Sequence, residues 1–127
     1  MTDTLAQRRA KLPRHQFYVV MTRMAQPTGD AMAVLQPLLT AHLDWLNDLE
    51  ARSILFAAGP LREPDGPMTG EGMFVLRAAS LAAARALAAA EPFHAAGVRT
   101  FDLFPWQVNE GGFQLTVKFT DSSVTFR

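Results

Sequence analysis

The chain has no cysteine, which removes disulfides, thiolate nucleophiles and Cys-ligated metals from consideration. It also has no charge of one sign to spare, since 12 Lys and Arg balance 12 Asp and Glu. No basic footprint for nucleic acid or an anionic membrane surface results, and the same neutrality removes one barrier to self-association. Long hydrophobic runs are missing too. Residues 1–15 are polar, unlike a signal peptide, and the alanine-rich stretch at 82–90 is broken by Arg85 and too short to span a bilayer. No Gly-rich phosphate loop and no Ser-centred nucleophile elbow occur. With no His-x-x-x-His and no carboxylate pair suited to a metal, the expectation is a cytoplasmic protein with no metal and no cofactor, bound to neither membrane nor nucleic acid.

What is present suffices for one domain. At 127 residues, 49% hydrophobic and 19% charged, the chain can bury about two-thirds of its unfolded surface. Its organising stretch runs from Leu35 to Leu49. Apolar positions 35, 38, 39, 45, 46 and 49, with His42 among them, follow the 3.6-residue period of an amphipathic helix. Thr40, Asp44, Asn47 and Asp48 fall on the other side, a solvated face. His42 is the odd member, an ionisable ring on the apolar stripe.

Residues 1–14 carry four basic residues without apolar periodicity and read as a flexible arm closed by Pro13, with Arg8, Arg9 and Lys11 solvated. Residues 16–24 (QFYVVMTRM) read as a first strand. The main helix is expected from about Gln36, with Pro37 in its first turn, to about Arg52. Residues 54–58 form strand two, ended by Gly59-Pro60, and 62–71 are turn chemistry leading to strand three at 72–77. Ser80 caps a helix over 81–90, which Pro92 stops at Glu91, and 98–108 is strand four, with Pro105 marking an edge or a bend.

This order is βαββαβ. It predicts an α+β, ferredoxin-like domain over 15–109, with both helices on one face of an antiparallel sheet. The uncovered face is apolar, so a second copy of the chain is expected to bury it, giving a homodimer. Residues 110–127 alternate apolar and polar (Phe113, Leu115, Val117, Phe119) and read as an added C-terminal β-hairpin. An isolated hairpin is marginal, so docking on the domain or on the mate is expected.

The inner stripe of the second helix, Leu81, Ala84, Leu87 and Ala88, leads to Glu91 on the same side. A carboxylate there could meet the His42 ring, fix its tautomer and make it a general base or acid. The alternative is a core histidine on a backbone carbonyl beside a solvated Glu91. Gly59 and Pro60 allow close approach to a ligand or simply turn the chain. Arg62 either clamps a carboxylate or is a solvated loop residue. Trp45, Trp106, Phe101 and Phe104 line a pocket or fill the core. His94 offers a second imidazole, without the companions a metal site needs.

His42-Leu43-x-x-Leu46, then Ala58-Gly59-Pro60-Leu61, Glu91-Pro92-Phe93, Ala95-Ala96-Gly97 and finally Pro105-Trp106 occur in an order and spacing that resemble the YCII-related (YciI-like) family across residues 17–108. The resemblance implies a dimeric α/β barrel of ferredoxin-like subunits with an active site on a His–Asp pair. The family histidine matches His42. The family aspartate falls at Glu91, a departure that adds one methylene. The activity associated with that fold is dehydrochlorination of a chlorinated hydroxyquinol, and the function expected here is proton transfer on a small molecule by a lyase or isomerase. His42 would be the base, Glu91 its orienter, and Gly59, Pro60, Arg62 and Trp106 would bind substrate in an apolar cleft. The rivals are a non-catalytic ligand-binding or interaction module on the same barrel and, since relatives of the fold bind haem, a haem-associated barrel.

Overall fold

The computed structural model describes residues 2–12 and 14–127, so Pro13, expected to close the arm, lies outside the described residues. The first strand, β1, spans His15–Met24. Its two rows differ in burial. Tyr18, Val20 and Thr22 are buried, whereas Val19 and Met21 opposite them are half-buried.

The helical crossover comes in three pieces. Asp30 caps α2 (Ala31–Leu35) by accepting the Ala33 N–H at 3.1 Å, a 3-10 turn (Gln36–Leu38) holds Pro37, and α3 runs Leu39–Ala51. The main helix thus starts three residues later than expected, because a proline without an N–H is better placed in the preceding tight turn. Within the stripe, Leu35 and Leu49 are buried and Leu38, Leu39, His42, Trp45 and Leu46 half-buried.

β2 (Leu55–Arg62) runs straight through Gly59-Pro60, which do not end it. The reason is its place in the sheet. The strand order is β2-β3-β1-β4, so β2 lies at an edge, where a residue lacking an N–H is tolerated. The ladder with β3 (Met68–Leu76) is irregular on either side, between Leu55 and Ala57 and between Pro60 and Arg62. β3 begins at Met68 rather than 72, so half of the presumed turn is strand.

Ser80 caps α4 (Leu81–Ala90), its hydroxyl accepting the Ala83 N–H at 3.0 Å. Glu91 then leaves the helix with φ −58° and ψ 131°, as the residue before a proline tends to. Pro92 does not merely stop α4. It opens a new short helix, α5 (Pro92–Ala95), where its fixed φ suits the first position. β4 (Arg99–Val108) is the other edge.

β1 pairs antiparallel with β3, and β3 with β2, in a register that sets Val20 opposite Phe74 and Thr22 opposite Gly72. The fold is α+β with an antiparallel sheet, in the strand order of a ferredoxin-like unit. Val20, Phe74 and Leu76 from the sheet meet Leu49 and Ala88 from the helices in one cluster. Both helices therefore cover the same face, and each large apolar side chain buried there contributes about 1.5–3 kcal/mol. On the other face Phe56, Met73, Phe104 and Trp106 are exposed.

The chain divides into two compact units, Gln16–Trp106 and a second made of Gln107–Arg127 with the described residues up to His15. In the second unit, Thr4 and Gln7 form a reciprocal capping box that starts α1 (Leu5–Ala10). The arm was expected to lack structure because it has no apolar period. Two satisfied orphan N–H groups supply a helix start without one. β5 (Leu115–Lys118) and β6 (Ser123–Phe126) pair antiparallel, with Phe113, Phe119 and Phe126 exposed. Among the described residues no helix is long and apolar enough to cross a membrane.

Candidate active site

Glu91 is the hub. It leaves α4 in an extended conformation, which turns its side chain back over the start of α5, and only 1% of it is exposed. One carboxylate oxygen lies 2.7 Å from His42 Nδ1 and accepts the Phe93 N–H at 3.0 Å; the other accepts the His94 N–H at 3.0 Å. Burial pushes this carboxyl up, but the hydrogen bonds from His42 and the two N–H groups together outweigh it and hold Glu91 below the usual carboxylate range. Glu91 is therefore an anion, able only to accept, and His42 Nδ1 carries the proton. In the neutral ring Nε2 keeps its lone pair. The ring is held flat against Phe93, with centroids 4.6 Å apart.

His94 lies three residues beyond Glu91 and faces the core. Its Nδ1 is 2.7 Å from the Ala88 carbonyl and 3.6 Å from Glu91. The carbonyl is the nearer partner and can only accept, so Nδ1 donates to it. Nε2, 2.8 Å from the Thr22 hydroxyl, then accepts from Thr22. Burial pulls the His94 pKa below the ordinary imidazole value, outweighing its bond to Ala88 and the charge of Glu91. Both nitrogens are committed, and the ring packs between Phe74 and Phe101. His94 offers no ligand position. Among the described residues no group of three or more metal-binding side chains forms.

A cleft of about 330 Å³ opens beside His42, between α2, α3 and the end of the sheet where Thr22, Gly72 and Pro60 lie in register. That is the lower end of the size range of small-molecule pockets. Its walls are apolar apart from three side chains, His42, Thr22 and Arg99. Gly72 keeps the floor clear, since a Cβ there would sit 3.2 Å from the Gly59 carbonyl oxygen and 3.3 Å from the Thr22 methyl carbon.

The residues singled out in the sequence part company here. Gly59 and Pro60 line the cleft, as strand residues and not as a turn. Arg62 is not among the lining residues; it is exposed at the end of β2, paired in register with Met68, which does line the cleft. Trp106 does not line it either. Strand alternation sends Arg99, Phe101 and Leu103 toward the helices and Trp106 to the opposite face, where its ring lies 6.3 Å from that of Phe17. Phe104 is on that same face, while Trp45 and Phe101 pack around the core. Arg99, Thr22 and Phe93 were missed. The available signal for Arg99 was a charge in the apolar row of β4.

An antiparallel sheet is thus covered on one face by two helices, with a His–carboxylate contact beside a small apolar cleft. The YCII-related domain matches residues 17–107, most of the chain, and the protein belongs to that family. Among solved structures it is similar to the 5-chloro-2-hydroxyhydroquinone dehydrochlorinase of Burkholderia phenoliruptrix AC1100, in complex with 2,5-dihydroxybenzoquinone. The TM-score is 0.56 at 23% identity, covering 70% of this chain and 92% of that one. At this identity the likeness is one of fold. No curated protein matches the chain significantly.

Proposed function

We propose that this protein is a small-molecule enzyme that moves a proton on its substrate, as a lyase or isomerase does, with His42 as general base and Glu91 as its orienting group. One observation carries the reading: an imidazole with Nδ1 bound to a buried carboxylate and Nε2 without a hydrogen-bond partner among the described residues, at the wall of an apolar cleft. Such an arrangement holds one tautomer and stabilises the imidazolium formed when Nε2 takes a proton. The dehydrochlorinase activity of the similar structure supports this. Eliminating HCl needs a base for the proton while chloride leaves with the electrons of the C–Cl bond. Glutamate in place of the family aspartate reaches His42 because its backbone has already left the helix.

Two copies pair through the apolar sheet face bearing Phe56, Met73, Phe104 and Trp106, closing a dimeric barrel. A 14 kDa species in sedimentation at micromolar concentration would contradict the pairing.

The test of the activity uses a panel of small hydroxylated and chlorinated aromatics and enolisable carbonyl compounds, 5-chloro-2-hydroxyhydroquinone included. C–H exchange in D₂O is followed by NMR, and chloride release by electrode. His42→Gln should slow the observed reaction by about 100-fold or more. Turnover indifferent to His42→Gln, or ligand binding with no exchange at all, would contradict the reading and leave a binding module.

A further inference from the structure

Arg99 stands where the pattern of β4 calls for an apolar residue, in one row with Phe101 and Leu103. Among the described residues it forms no ion pair, and its Nε is buried with no hydrogen-bond partner. The guanidinium lies over the Phe93 ring, 4.8 Å from its centroid, and lines the cleft with His42 and Thr22. The neighbouring carboxylate does not relieve it, because among the described residues Glu91 pairs with His42 and His94 and no Glu91 oxygen comes within ion-pairing distance of Arg99. Burial works against the Arg99 cation, and the charge of Glu91 offsets this only in part. A buried donor with no partner is an exception in folded proteins, and a planar guanidinium is the side chain best shaped to take an oxyanion in a dry site.

We infer that Arg99 is the anion-binding residue of this cleft, and that its ligand is a small, largely apolar molecule carrying an anionic oxygen of the carboxylate or phenolate kind. The inference rests on the reading of the cleft as a substrate site and adds what that reading lacks, a chemical class. The apolar walls take the body of the molecule and Arg99 takes its charge. Phe93 contacts both groups, its ring centroid 4.8 Å from the Arg99 guanidinium carbon and 4.6 Å from the His42 ring centroid. A ligand held by its oxyanion at Arg99 thereby lies in the cleft that His42 also lines.

The test is equilibrium binding to the full-length chain, by NMR titration, of benzoate, of 4-nitrophenolate at alkaline pH, and of neutral benzamide. The anions should bind at least tenfold more tightly than benzamide and shift the Arg99 Nε–H and Thr22 signals. Arg99→Met, which keeps the stem over Phe93, should abolish that preference; Arg99→Lys, which keeps the charge, should retain part of it. If benzoate alone or 4-nitrophenolate alone is preferred, the class narrows to that one. Equal binding of anions and benzamide, an unchanged preference in Arg99→Met, or no anion binding at tens of millimolar would overturn the inference. The His42 exchange assay reads independently. Charge-blind binding with His42-dependent exchange sinks the anion site alone; Arg99-dependent binding with exchange indifferent to His42 sinks the enzyme reading alone.

Discussion

His42 and His94 lie against the same carboxylate, yet their surroundings differ in every respect that matters to chemistry. His94 has Nδ1 on the Ala88 carbonyl, Nε2 on the Thr22 hydroxyl and 3% of its side chain exposed. His42 has Nδ1 on Glu91, no partner on Nε2 among the described residues and 15% of its side chain exposed. A ring satisfied at both nitrogens is a structural strut. A ring satisfied at one, with the other at a cleft, is available for proton transfer. Residue type is the same, and hydrogen-bond completeness separates the roles.

The largest effect should come from removing what the two rings share. Glu91→Ala strands two N–H groups and the His42 donor, and should cost about 3–5 kcal/mol in urea unfolding; a loss below 1 kcal/mol would mean the hub is not a hub. His94→Ala leaves the Ala88 carbonyl and Thr22 unpaired beside a cavity and should cost about 2–3 kcal/mol. Stability should also fall on acidification in two stages. The folded His94 pKa lies below the ordinary 6.5, so the unfolded chain binds the extra proton first and stability is lost as pH drops below about that value. The Glu91 pKa lies below the ordinary 4.5, so its contribution holds above that pH and is lost as pH falls through its folded value. Chemical denaturation across pH 3–8 should lose the first stage in His94→Gln and keep the second. The smallest effect belongs to His42→Gln, whose amide can still donate to Glu91: about 1 kcal/mol or less, against the large loss of activity proposed above. Equal destabilisation by the His42 and His94 substitutions would erase the distinction.

Much of this was legible in sequence. The helical period placed His42 on the inner stripe, and Ser80 and Pro92 bracketed α4 so that Glu91 fell at its exit. The run through Gly59-Pro60 was not legible, because tolerance of proline depends on β2 being an edge strand, which is settled by pairing with distant residues. The outward placement of Trp106 follows from a parity count along β4, since Phe101 and Leu103 facing inward send position 106 to the opposite face. Arg99 was passed over because an arginine in a strand reads as solvated unless the row it shares is identified. The capping box at Thr4 and Gln7 was visible, but the absence of an apolar period hid it.

The most direct test of the account is the ¹⁵N shift of the two His42 ring nitrogens, read by long-range ¹H–¹⁵N correlation at a pH where the ring is neutral. Nδ1 should be protonated and Nε2 unprotonated. A proton on Nε2, the form that free imidazole side chains favour, would contradict it.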